Sequence, residues 1–285
     1  MLLNLFKKNS RSSEIFNIRG FQRSGTNWIC NIANLHDQIN CQGEFHFQHL
    51  YKTYNSYQNR RFSNEKILKE VKENFKVIKD EIILKVCNHS KLCGDRTPCN
   101  LISTYVPGRK NILITRDGRD CIISWLYHCL RNDIYTNNHI KLLSNKFKID
   151  SDYYEVNKHK LLDSKYTVKE LSKRWNNRIV SDYKTYIKSV KNEIDMPILW
   201  LRYENVSAET EKYQKNIYEF LNANPKYSNP LNEYTTAGFK NHNPLKHYRI
   251  GKNDRWRLYF TKQQHKWFLE EAQQAIELLN LSSEF

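Results

Sequence analysis

Apolar residues in this chain fall in short continuous runs at 15–21, 82–87, 111–115 and 197–202. Between the runs they recur at helical spacing. Ile67, Leu68, Val71, Phe75 and Ile78 predict a helix over 64–79, and similar patterns predict helices over 26–36, 117–131, 167–190, 207–222 and 262–280. The short runs read as strands. Strands alternating with helices predict an α/β fold, a central parallel sheet flanked by helices on both faces. Ligands in such folds sit at the carboxyl ends of the strands, so the segments that follow Phe21 and Thr115 are expected on one functional edge. Residues 132–166 are polar and irregular and read as an insertion or lid over that edge. Residues 223–261 are rich in Asn, Pro and Gly and read as a long functional loop.

A length of 285 residues suits one domain over 1–285, with no internal repeat or low-complexity linker. The formal net charge of +16 fits either a lysine-rich solvated surface or a basic cleft for an anionic ligand. The seven cysteines are odd in number and include no C-x-x-C, which predicts reduced thiols and a cytoplasmic location. Cys87, His89, Cys93 and Cys99 cluster, but their spacing matches none of the usual zinc pairs. No apolar run is long enough to span a membrane, and Met1 to Lys8 is too short for a signal core.

The stretch Phe21-Gln22-Arg23-Ser24-Gly25-Thr26-Asn27-Trp28 links a strand run to a helical pattern. A sharp strand-to-helix turn aims backbone N–H groups and the positive end of the helix dipole at one point. Gly25 allows close approach, Ser24 and Thr26 supply hydroxyls, and Arg23 adds charge, so the loop is an anion cradle. Gly20 and Gly25 have the spacing of a nucleotide-triphosphate P-loop, but Thr26 and Asn27 stand where Lys and Ser/Thr are required. A second stretch, Asn111 to Ser124, places Arg116 at a strand end and Ser124 eight residues on, where the two side chains can grip one phosphate.

Together these stretches resemble the sulfotransferases that use 3′-phosphoadenosine 5′-phosphosulfate (PAPS). Gln22 to Trp28 is similar to the family's P-[KR]-S-G-T-T-W loop, and Arg116 with Ser124 to its second phosphate signature. Arg116-Asp117-Gly118-Arg119 is closest to the tyrosylprotein branch. Leu201 to Val206 resembles the Y-E-D-L segment, and Arg249 to Trp256 the late R-K-G loop. The resemblance implies a three-layer, P-loop-like fold and a donor site. Arg23, Ser24, Gly25, Thr26 and Asn27 would hold the 5′-phosphosulfate. Arg116, Ser124, Arg249, Gly251 and Lys252 would hold the 3′-phosphate, and Trp28 and Tyr203 would pack near the adenine. The 223–261 loop would cover the cofactor, PAP would be the product, and no metal would be needed. Gln22 replaces the family's Pro, and Ile250 replaces a Lys.

The resemblance also implies a His or Glu base. Glu44 lies 21 residues beyond Arg23, as in the tyrosylprotein and heparan branches, and His46 is its rival. On an extended segment the two would point to opposite faces, so only one reaches the acceptor. Arg96 stands where the tyrosylprotein branch carries a second cation, and Trp175 is expected to pack a helix. The expected reaction is sulfuryl transfer to a hydroxyl, less readily an amine, of a glycan or small molecule, with no nucleic acid involved. The alternatives are a P-loop kinase or NTPase, or a noncatalytic basic protein that binds nucleic acid or glycan.

Overall fold

The computed structural model describes residues 13–47, 49, 64–232, 235 and 253–285. In chain order the main elements are β1 (Glu14–Gly20), α1 (Thr26–Ala33), β2 (Ile39–Gly43), α2 (Glu65–Val86), β3 (Leu92–Arg96), β4 (Asn111–Thr115), α3 (Gly118–Arg131), α4 (Asn138–Ile149), α5 (Tyr153–Val156), α6 (Lys165–Val190), β5 (Ile198–Arg202), α7 (Tyr203–Ala208), α8 (Thr210–Phe220), α9 (Trp256–Tyr259) and α10 (Lys262–Leu278). The strands form a parallel five-stranded sheet in the order β2-β3-β1-β4-β5.

Alternation along the strands builds three layers. Phe16, Ile18, Ile112, Ile114 and Leu201 face α1 and α8, where they meet Ile29, Ile32 and Ile217. Leu113 points the other way, against Leu101 and Met196. A second large core forms where α3, α6 and α10 pack around Leu126, Trp175 and Phe268. Side-chain caps fix several helix starts. Asp117 accepts from Arg119 N, Ser164 from Thr167 N, and Thr261 with Gln264 completes a capping box.

One strand position looks too polar to be buried. Arg19 is fully buried, and its Nη2 lies 2.7 Å from Asp95 Oδ2 on the neighbouring strand. Thr97 Oγ1 donates to the other Asp95 oxygen at 2.7 Å. A charge inside a sheet survives only when paired and hydrogen-bonded in this way.

The architecture agrees with the expected sheet and flanking helices, and differs in detail. Residues 82–87 are the end of α2, not a strand. Two strands, β2 and β3, lie in segments where no strand was expected. The 207–222 helix is two helices, α7 and α8. The 132–166 segment is largely helical: Ile140, Leu143, Phe147 and Tyr154 of α4 and α5 are buried in the second core. Those apolar positions are spaced for a helix face, but intervening Lys and Asn residues mask the pattern.

Candidate active site

Strand order reverses direction around β1. Its chain leaves to α1 on one face, whereas β4 leaves to α3 on the other. The carboxyl ends of β1 and β4 therefore open a crevice, the usual ligand position in open parallel sheets. Arg23 and Arg116 stand on the two loops that flank it.

The first loop has the conformation an anion cradle needs. Gly25 has φ 108°, and a Cβ there would lie 2.8 Å from Tyr203 Cδ2. Only glycine accommodates both the backbone angle and the ring beneath it. Gly25 is the N-cap of α1, and no side chain caps that end. Ser24 turns its hydroxyl back to Phe21 O at 2.7 Å and so shapes the loop. Arg178 of α6 braces the loop from outside, donating to Gly20 O at 2.9 Å while its Nε holds Asp182 at 2.9 Å.

Arg116 is set by three neighbours. Its guanidinium lies 4.1 Å from the centre of the Tyr203 ring and 3.6 Å from Asp120. Trp175, fully buried, donates to Arg116 O at 3.2 Å. Gly118 makes room for that indole, since a Cβ there would meet the Trp175 ring at 2.4 Å. Trp175 thus packs a helix, as expected, and also fixes the Arg116 backbone. Burial pushes the Asp120 carboxyl up to about 6, with Arg116 opposing the shift. Arg119 is structural: it is buried between Asp117, at 2.6 Å, and the Trp256 ring, at 3.7 Å.

Some of the predicted cofactor residues pair with one another. Ser124 Oγ of α3 accepts from Arg23 Nε at 3.0 Å, which ties this serine to the first loop. Trp28 and Tyr203 are adjacent, with ring centres 5.1 Å apart, and Trp28 donates to Thr235 O at 2.7 Å. Arg249, Gly251 and Lys252 lie outside the described residues.

At the ends of β2 and β3 a polar chain runs across the site. Gly43 and Arg96 are register partners. Arg96 Nη1 donates to Asn27 Oδ1 and, at 2.7 Å, to Glu44 Oε1. Glu44 Oε2 in turn lies 3.1 Å from His46 Nε2. The expectation that residues 44 and 46 point apart is therefore wrong. The strand ends at Gly43, and His46 has φ 53°, which bends the segment and brings both side chains together. The sequence reading also missed His128, one helical turn beyond Ser124. It is half-buried, and burial and the Arg23 charge hold its pKa below the ordinary histidine value, with Glu44 pulling the other way. The four-residue spacing from Ser124 is the signal that would have found it.

A family model described as a sulfotransferase domain matches residues 15–279. The chain belongs to that family, and is a sulfotransferase enzyme. Its fold is similar to mouse sulfotransferase SULT7A1 complexed with PAP, at 17% identity, with 96% of this chain and 88% of that one covered and a TM-score of 0.51. It is also similar to the sulfotransferase domain of the Synechococcus PCC 7002 olefin synthase, at 11% identity, with 97% and 98% covered and a TM-score of 0.51. No curated protein sequence matches the chain closely enough to count as a relative.

Proposed function

We propose that this enzyme transfers a sulfuryl group from PAPS to an acceptor hydroxyl, with an amine as the lesser alternative, releasing PAP. The observation that carries the reading is the crevice between β1 and β4, where an uncapped helix start at Gly25 faces two arginine-bearing loops. The residues fit the donor. The glycine cradle and α1 N–H groups, with Arg23, Ser24, Thr26 and Asn27, suit the phosphosulfate. Arg116 and Ser124 suit the 3′-phosphate, and Trp28 and Tyr203 offer the apolar wall for the base. By resemblance Arg249, Gly251 and Lys252, which lie outside the described residues, would complete the set, and the 223–261 segment would cover it. PAPS supplies, when bound, an activated sulfuryl group on a good leaving nucleotide.

Glu44 is the general base for the acceptor proton. Arg96 holds one of its oxygens and His46 touches the other, which fixes the carboxylate toward the acceptor side. Arg23 and Arg96 balance negative charge that grows on the departing oxygen, the role a metal plays in phosphoryl transfer, so no metal is required. A kinase would need the loop lysine and the Mg²⁺ hydroxyl that Thr26 and Asn27 displace. The acceptor is a glycan or small molecule, not nucleic acid. The site belongs to one catalytic domain of a cytoplasmic protein, and 132–166 is an insertion packed on its core. Among the described residues, no helix is long and apolar enough to cross a membrane.

Thermal shift with PAP, adenosine 5′-phosphosulfate and ATP tests the donor. A ligand at 100 times its Kd adds about 2.7 kcal/mol, so PAP should protect strongly, and Arg116→Ala should abolish most of that protection. Equal protection by ATP, or by the nucleotide without a 3′-phosphate, defeats the assignment.

A further inference from the structure

Asp120 is a buried carboxylate that the sulfuryl-transfer scheme leaves unused. It sits in the first turn of α3, four residues beyond Arg116, and its side chain is 4% exposed. Its Oδ2 lies 3.6 Å from Arg116 Nη2, and its Oδ1 accepts from Trp256 N at 3.0 Å. One carboxylate thus joins the arginine at the crevice to the start of α9.

Two other carboxylates share this corner, and each has a partner of its own. Asp117 is held by Arg119 at 2.6 Å. Glu204 of α7 accepts from Asp117 N at 3.0 Å and lies 3.8 Å from Arg202 Nε. The Tyr203 hydroxyl of α7 and the Cys121 thiol of α3 also face Asp120, but burial pushes both up, so they are neutral near pH 7. α9 contributes the Trp256 N–H. The charge on Asp120 therefore leans on Arg116, and burial already pushes its carboxyl up to about 6 with Arg116 opposing.

Arg116 has one positive charge to share. A phosphate gripped by that guanidinium takes up the charge that keeps Asp120 ionised. Two anions on one buried cation cannot both stay fully charged, and the carboxylate is the one that burial has already weakened. A protonated Asp120 still accepts from Trp256 N through its carbonyl oxygen, so the tie to α9 survives the change.

We propose that donor binding draws a proton from solvent onto Asp120, and that the charged carboxylate otherwise weakens the grip of Arg116 on the nucleotide. The proposal rests on the reading of Arg116 as the 3′-phosphate site. Asp120 is a positioning residue: it acts through Arg116 and meets no reacting atom. PAPS and PAP both carry the 3′-phosphate, so the carboxylate loosens donor and product alike and eases the departure of PAP.

Calorimetric titration of PAP into wild type and Asp120→Asn, from pH 5 to pH 8, tests this. Asn imitates the neutral acid and keeps an acceptor for Trp256 N. The variant should bind PAP about tenfold tighter than wild type at pH 8, the equivalent of one pKa unit. The ratio should fall to near one at pH 5, where wild-type Asp120 is itself protonated; taking the ratio cancels the titration of the phosphates on PAP. At pH 6.5, in two buffers of different ionisation heat, wild type should take up about half a proton more than the variant. Adenosine 5′-phosphosulfate, which lacks the 3′-phosphate, should bind the two proteins within about twofold of each other. Equal PAP affinities at pH 8, no extra proton, the same tenfold gain for adenosine 5′-phosphosulfate, or weaker PAP binding by the variant at every pH would each overturn the proposal and leave the donor site standing. The last outcome would make Asp120 a plain brace for Arg116. Failure of wild-type protein to bind PAP would instead remove the reading beneath it.

Discussion

Glu44→Gln separates chemistry from binding and from folding. The carboxylate holds Arg96 at 2.7 Å and His46 at 3.1 Å, and its side chain is 37% exposed. At that exposure solvent screens the ion pair, so its loss should cost no more than about 1 kcal/mol of stability. Gln preserves the shape and can still accept from Arg96, but cannot take a proton. Loss of a general base lowers rate about 10²–10⁴-fold, equivalent to roughly 3–5 kcal/mol of activation free energy. Rate should therefore fall far more than stability. PAP affinity should stay within a few-fold, because Glu44 has no proposed contact with either phosphate. The assay is PAP release from PAPS across a panel of acceptors, beside PAP titration and urea unfolding of the same preparations. His46→Ala should show the smaller rate loss, since Arg96 still holds Glu44 when the His46 contact is gone. Near-normal turnover by Glu44→Gln, beside an inactive but folded His46→Ala, would refute the assignment and make His46 the base.

Arg19→Met should leave the Asp95 carboxylate buried and unpaired, costing about 3–5 kcal/mol; urea unfolding checks it, and a loss under about 1 kcal/mol would contradict the pairing. Asp120 has its folded pKa raised from 3.8 to about 6, so its contribution to stability is present below pH 3.8 and is lost as pH rises toward 6. Asp120→Asn should remove that slope, gaining on wild type by roughly 3 kcal/mol between pH 3.5 and 7, as read from paired denaturation curves across pH. PAPS-dependent turnover should persist in EDTA; complete loss restored by Mg²⁺ would point to the kinase alternative.

Much of the fold was legible because β4 and β5 are nearly continuous apolar runs, and β1 carries Ile15, Phe16 and Ile18 around its buried Asn17 and Arg19. β2 and β3 were not, since Asn40, Gln42, Asp95 and Arg96 interrupt them. Asp95 belongs in a strand only because Arg19 meets it from the next one, a pairing no local pattern contains. Residues 82–87 misled for the opposite reason. Ile83 and Cys87 face the core while Ile82 and Val86 are exposed, so a helix end with surface apolar residues imitates a strand. At the site, the Arg23 and Arg116 loops were readable because backbone geometry follows from Gly25 and from the strand ends. The contact between Glu44 and His46 depends on a bend at His46 that nothing in its composition announces. The braces supplied by Arg178 and Trp175 come from a helix more than fifty residues away in sequence and need tertiary structure to be seen.

Arg19, Arg116, Arg119 and Arg178 each face an aspartate, at 2.6–3.6 Å. At such range the paired charges nearly cancel outside the protein. The formal excess of +16 is then felt in solvent mainly through side chains outside these pairs. Mobile ions screen exposed charge over about 8 Å at physiological ionic strength, but reach interior pairs far less. Added salt should accordingly slow the arrival of anionic molecules and reduce their nonspecific adhesion, while leaving the interior pairs that shape the crevice in place.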